Sequence, residues 1–250
     1  MKFNILYETL LDQHQSFLIE GYIWAWHTTA HNFDKFTKTK IGSGVGGFTH
    51  GLGFNVTNNY DRAKDFLNFV KGPNPRTIPV KIKDGKYFEW DTPVDSQTLE
   101  FIKKAAEKEK LSLGDPEILK TKTKTGEEFF EYIAKIFTNR DHNPEWSTYI
   151  PPERRHAIKK SRDNYRGGSA IATTFLSKAG FLGIVDKTGS MLGPEGKDKH
   201  TWKKPPTKYE AKHWVVFEPH NIQIVKGAAA EKALEVLRGK DKKPEKYHGL

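Results

Sequence analysis

The residues best suited to chemistry gather in the first quarter of the chain. His27 ends the apolar run Tyr22-Ile-Trp-Ala-Trp26 and is followed by Thr28 and Thr29. A neutral imidazole offers one donor and one acceptor, and a strand end fixes where they point. Downstream lie six glycines, Gly42, Gly44, Gly46, Gly47, Gly51 and Gly53. Backbone without Cβ atoms lets a ligand lie close against the main chain. These features mark Tyr22 to Phe66 as a ligand-gripping core. The plain alternative for an isolated strand-end histidine is a structural side chain bonded inside the protein.

Other chemistries lack their residues. No cysteine occurs in the 250 residues, so disulfides, thiolate zinc sites and cysteine nucleophiles drop out together, as suits a reducing compartment. H-E-x-x-H, G-x-x-x-x-G-K-[ST] and G-x-S-x-G are missing. His27 and His31 have the spacing of two ligands on a helix, but a strand separates their directions, so no metal is expected. Arg166-Gly-Gly-Ser169 fits an anion ahead of a helix, or a simple glycine turn with a cap.

Forty-one Lys and Arg against thirty-one Asp and Glu give a net charge of +10, which attracts phosphate-bearing partners or merely keeps the surface hydrated. The excess is spread along the chain rather than forming a stripe with interleaved aromatics. No apolar run is long enough to span a bilayer, and the first residues lack a secretory pattern. A mean hydropathy of -0.70 with 12% aromatic residues describes a polar surface around a ring-filled core.

The elements that must position His27 can be traced from periodicity. Phe3, Leu6, Leu10 and Leu11 predict an amphipathic helix within 1–20. Strands are expected at Tyr22–Trp26, Phe54–Thr57, Ile78–Ile82, Lys86–Trp90, Leu182–Val185, Trp214–Phe217 and Ile222–Val225. Asp84-Gly85 between two of them predicts a β-hairpin. Asn32 is a candidate cap for a turn at Phe33–Phe36. Helical patterns cover Tyr60–Val70, Leu99–Lys110, Glu127–Phe137, Ser169–Ala179 and Ala228–Leu237, with a basic tail beyond.

The order of these pieces resembles the ADP-ribosyltransferase fold, and more closely the transferase domains of phage polyvalent proteins. The matching residues are His27-Thr28-Thr29, Phe33-Asp-Lys-Phe36, Gly42 to Gly47, Gly51-Leu52-Gly53-Phe54 and Ala63-Lys64. Later come Phe88-Glu-Trp-Asp-Thr-Pro93, Phe175-Leu-Ser-Lys-Ala-Gly180, Gly183-Ile184 and Trp214-Val-Val-Phe-Glu-Pro219. The resemblance implies an α+β fold with a split, twisted β-sheet core over 21–226, a helical insertion at about 96–165, and a helix with a basic tail at 227–250. It implies NAD as the substrate, held by His27, Thr28, Thr29, Gly51, Gly53, Phe54 and Asn55, with His27 on the adenosine-side ribose and backbone groups of Thr28 on the nicotinamide amide. It also implies a phage protein acting in a bacterial host cytoplasm or carried in a virion.

Two positions depart from the family. Asn55 stands where a tyrosine stacks on nicotinamide, with Phe48, Phe54 and Tyr60 as other rings within reach. His213 stands where a glutamate stabilises the developing cation at the anomeric carbon, and Glu210, three residues earlier, is the substitute acid, with Glu218 further along the strand. The catalytic candidates are therefore His27, Glu210 and His213. Three functions follow: a mono-ADP-ribosyltransferase acting on a protein or nucleic-acid acceptor, a binding or virion structural protein that has lost transfer, and a basic nucleic-acid-associated protein.

Overall fold

The computed structural model describes residues 18–19, 21–41, 51–68, 70–110, 113, 125–138, 164–187, 211–228 and 230–231. Its strands are β1 (Leu18–Ile19), β2 (Tyr22–Thr29), β3 (Phe54–Thr57), β4 (Arg76–Lys83), β5 (Tyr87–Glu89), β6 (Gly183–Asp186), β7 (His213–Val216) and β8 (Ile222–Ile224). The helices are α1 (Tyr60–Asp65), α2 (Ser96–Lys108), α3 (Gly126–Thr138) and α4 (Asn164–Lys178). This is an α+β protein built on a mixed sheet of order β5-β6-β7-β3-β2-β4-β8, with β1 added to β2. Only β5 and β6 run parallel.

The sheet cannot be flat. Strands β4 and β5 lie five steps apart in the hydrogen-bonded order, which in a flat sheet is about 24 Å. Only Asp84, Gly85 and Lys86 connect them, a reach of at most ~14 Å. The sheet therefore curls until its two ends approach, and one core fills the concave face. That core takes Ile23 and Ala25 from β2, Phe54 and Val56 from β3, Ile78, Val80 and Ile82 from β4, Val185 from β6, Trp214 and Val216 from β7, and Ile222 from β8. The alternate residues Phe88, Ile184 and Val215 face outward into a second core, where Ile102 of α2, Phe129 and Ile133 of α3, and Phe175 and Leu176 of α4 cover them. Helix α1 covers the outer side of β2, with the Tyr60 ring edge-on to Trp26 at 4.8 Å.

Several expectations change here. The Asp84-Gly85 hairpin does not form. Strand β4 has both edges occupied, by β2 over eight register pairs and by β8 over three, so β5 crosses to the far edge and pairs with β6. Pro79 is accommodated inside β4 at the point where β8 ends, and its carbonyl accepts from the Val225 N–H. The 1–20 helix cannot run to its expected end, because Leu18 and Ile19 form β1 opposite Ile23 and Tyr22. Gly21, at φ 78°, makes the reversal that a helix would forbid. Residues 1–17 lie outside the described residues.

Asn32 does not cap a turn, since its side-chain oxygen accepts from Asn74 Nδ2 at 2.8 Å. The Tyr60–Val70 helix is α1 alone, capped by Asn59 and passing into a 3-10 turn at Phe66–Asn68. Helix α4 begins five residues earlier than expected, at Asn164, and ends where the Phe181 N–H returns to the Leu176 carbonyl. The two helical patterns of the insertion are α2 and α3, and the C-terminal one begins at Ala228, Ala230 and Glu231. No helix among the described residues is long and apolar enough to cross a membrane.

Candidate functional site

His27 sits where the concave face turns from apolar to polar. Along β2 that face reads Ile23, Ala25, His27, Thr29, opposite Ile82, Val80, Ile78 and Arg76 of β4. On the other edge, the ladder between β2 and β3 has a single register pair, Trp26 with Thr57. A strand edge released from its ladder needs donors for its carbonyls. His27 supplies one: its Nδ1–H donates to the Asn55 carbonyl at 2.8 Å. This bond fixes the tautomer, leaving Nε2 as a hydrogen-bond acceptor.

Two phenylalanines frame the imidazole, and a third packs behind one of them. Phe36 and Phe33 stand edge-on to it at 5.1 and 6.1 Å, and Phe36 meets Phe54 at 4.8 Å. Desolvation among these rings lowers the His27 pKa below its ordinary 6.5, against the opposing pull of the Asn55 carbonyl. The side chain is thus a neutral acceptor at neutral pH, suited to a hydroxyl rather than an anion.

The neighbouring threonines spend their hydroxyls on the fold. Thr28 lies on the outer face, where its hydroxyl donates to the Ala63 carbonyl of the last turn of α1 and approaches the Thr77 hydroxyl at 3.4 Å. Thr29 is buried, and its Oγ1 accepts from the His31 N–H at 3.2 Å. What these residues can offer a ligand is main chain.

Gly51 and Gly53 are explained by packing. A Cβ on Gly53 would meet the Val216 carbonyl oxygen at 2.6 Å and Val215 Cγ1 at 2.7 Å. Gly51, at φ 104°, faces Ile184 Cδ1 at 3.0 Å and Thr173 Oγ1 at 3.1 Å. Between them the Leu52 N–H donates to the Thr173 hydroxyl at 2.9 Å, tying this turn to α4. The space a side chain would need is filled by the protein itself, so these two glycines serve close backbone packing behind the His27 site. Gly42, Gly44, Gly46 and Gly47 lie outside the described residues, as does Phe48.

Asn55 and His213, the two positions where the sequence departs from the pattern it resembles, touch each other. Asn55 Oδ1 accepts from His213 Nε2 at 3.1 Å. His213 begins β7, opposite Thr57 on one side and Asp186 on the other, and only 4% of it is exposed. By strand alternation its ring shares the outer face with Val215, while His27 faces the concave core. One asparagine therefore joins the two imidazoles, by its carbonyl to His27 and by its side chain to His213, yet the rings stand on opposite faces. Of the residues singled out in the sequence, the structure brings His27, Phe54 and the Asn55 main chain together and sets His213 apart. Tyr60 packs on the outer face, away from His27.

Glu210 lies outside the described residues. Glu218 carries its carboxylate near Ser177 Oγ, at 3.4 Å, and Lys38 Nζ, at 3.8 Å. Among the described residues no group of three or more His, Asp or Glu is arranged to hold a metal. Sequence reasoning missed Arg76, which continues on the same face as Ile78, Val80 and Ile82. Parity was the available signal, because it stands two residues before an alternating apolar strand. The packing of Phe33 and Phe36 against His27 was also missed, since they lie in an irregular segment with no period to read.

Comparison with family models, with curated proteins and with solved structures gave no match to this chain.

Proposed function

We propose that the chain is an NAD-dependent mono-ADP-ribosyltransferase of the ADP-ribosyltransferase fold, modifying a macromolecular acceptor. The observation that carries this reading is His27 itself: an imidazole with its Nδ1–H committed to Asn55 and its Nε2 left as acceptor, third from the end of β2 and beside the single pair that joins β2 to β3. Such a group can accept from a ribose hydroxyl and hold the sugar in one orientation. The resemblance over 20–226 and a curled sheet whose β2–β3 ladder has only one pair are consistent with a split transferase core.

In the reaction, the bond between the anomeric carbon and the nicotinamide nitrogen breaks, and nicotinamide leaves with the electron pair. A nucleophile on the acceptor bonds to that carbon and gives its proton to solvent. His27 holds the adenosine-side ribose and so orients the dinucleotide. A carboxylate near the anomeric carbon would stabilise the transient positive charge, and Glu210 is the residue proposed for that role.

A second reading has its own observation. His213 stands where the family has its acid, and it is buried on the face opposite His27. If Glu210 does not substitute for it, the chain binds NAD without transferring ADP-ribose. Incubation of labelled NAD and host-cell lysate with wild type, His27→Ala and Glu210→Ala separates the readings. Transfer by wild type that is lost in His27→Ala supports the first. Calorimetric NAD binding with neither transfer nor glycohydrolysis selects the second. Salt-sensitive retention on DNA or RNA without NAD binding overturns both and selects a nucleic-acid role.

A further inference from the structure

A buried donor without an acceptor is expensive, and each instance in a folded protein calls for a reason. Arg76 presents one. Its Nε is buried and has no hydrogen-bond partner among the described residues. No carboxylate among them compensates its charge, whereas Lys178, Lys187 and Lys226 are paired with Glu109, Glu89 and Asp34.

Its position gives the reason. Arg76 lies directly opposite Thr29 and diagonal to His27 on the concave face, because His27 pairs with Ile78, two residues along β4. Diagonal neighbours on one face have their Cβ atoms roughly 7 Å apart. The Thr29 hydroxyl accepts from the His31 N–H and makes no bond to Arg76 Nε. The polar end of the face thus places a permanent cation with an unpartnered Nε beside a neutral acceptor. A guanidinium so placed suits a phosphate oxygen, and an imidazole held neutral suits a hydroxyl.

We propose that Arg76 forms a phosphate subsite beside His27, taking one phosphate of a ligand whose sugar hydroxyl is received by His27 Nε2. The ligand class is a nucleotide with sugar and phosphate adjacent. This inference rests on the reading of the His27 cleft as a nucleotide site, but it assigns a residue that the resemblance does not. Nothing about Arg76 requires transfer chemistry.

Titration calorimetry on the full chain tests it, with NAD and inorganic pyrophosphate as probes. Arg76→Ala should weaken NAD binding on the order of tenfold to a hundredfold, with Arg76→Lys recovering only part, because lysine lacks the guanidinium fork. The salt dependence of NAD binding should flatten in Arg76→Ala. A thermal midpoint near that of wild type shows that the fold is retained. If wild type binds NAD and a folded Arg76→Ala binds it within about twofold, the subsite is overturned and the NAD reading stands. If wild type binds pyrophosphate through Arg76 but does not bind NAD, the subsite stands and the NAD reading falls. Binding of neither probe overturns both.

Discussion

Replacing Asn55 by alanine isolates its link to His213. The substitution removes the Oδ1 that accepts from His213 Nε2 at 3.1 Å but keeps the carbonyl that accepts from His27 at 2.8 Å. With only 4% of His213 exposed, water cannot readily replace the lost acceptor. Stranding a buried donor costs about 1–3 kcal/mol. In a protein of this size each kcal/mol is worth roughly 2–4 °C, so the thermal midpoint should fall by about 2–12 °C. His213→Leu removes the donor instead, and the double variant should cost less than the sum of the two singles by about 1 kcal/mol or more. Urea unfolding followed by tryptophan fluorescence measures all four corners of the cycle. Nitrogen NMR should find His27 still protonated on Nδ1 in Asn55→Ala, since the carbonyl survives. An Asn55→Ala loss under about 0.5 kcal/mol together with additive effects in the double variant would refute the coupling.

Other perturbations address the surroundings of His27. Its pKa is held below the ordinary 6.5, so below pH 6.5 the unfolded chain binds a proton there that the folded chain refuses. Its contribution to stability is complete above 6.5 and is lost as pH falls toward the folded value, with a slope of at most about 1.4 kcal/mol per pH unit. The stability difference between wild type and His27→Gln, compared at pH 7.5 and 5.5, should change accordingly; equal differences at both would show that the imidazole is not desolvated. Gly53→Ala drives a methyl against the Val216 carbonyl, and a loss of about 1–3 kcal/mol is expected in urea unfolding. Thr28→Val removes the donor to the Ala63 carbonyl on the outer face, so it should cost about 1 kcal/mol while NAD affinity stays within about twofold.

Short apolar and aromatic runs at Tyr22–Trp26, Ile78–Ile82 and Trp214–Phe217 were enough to find the central strands, and helical spacing found α2 and α3. Pairing was less legible. Asp84-Gly85 has the composition of a hairpin, but its use depends on competition for the edges of β4, and the winning partners β2 and β8 are distant in sequence. The amphipathic pattern before Gly21 did not reveal that Leu18 and Ile19 turn back onto β2. The position of His27 could be read from its strand, whereas its tautomer could not. The acceptor that fixes it is a carbonyl 28 residues away, and carbonyls leave no trace in residue identity. The Asn55–His213 bond spans 158 residues. Taken singly, each residue looked like a missing catalytic group; only their contact shows that the two side chains satisfy each other.

The strand order has a consequence for self-association. Its long strands, β2 and β4, each of eight residues, lie inside the sheet, while the strands at its two ends, β5 and β8, have three residues each. An open edge recruits another chain through its row of unpaired amides and carbonyls, and three residues offer too short a row to template a lasting ladder. The curl further keeps the ends from presenting a flat seam to a neighbour. Among the described residues, the two end strands thereby offer little to strand-templated aggregation.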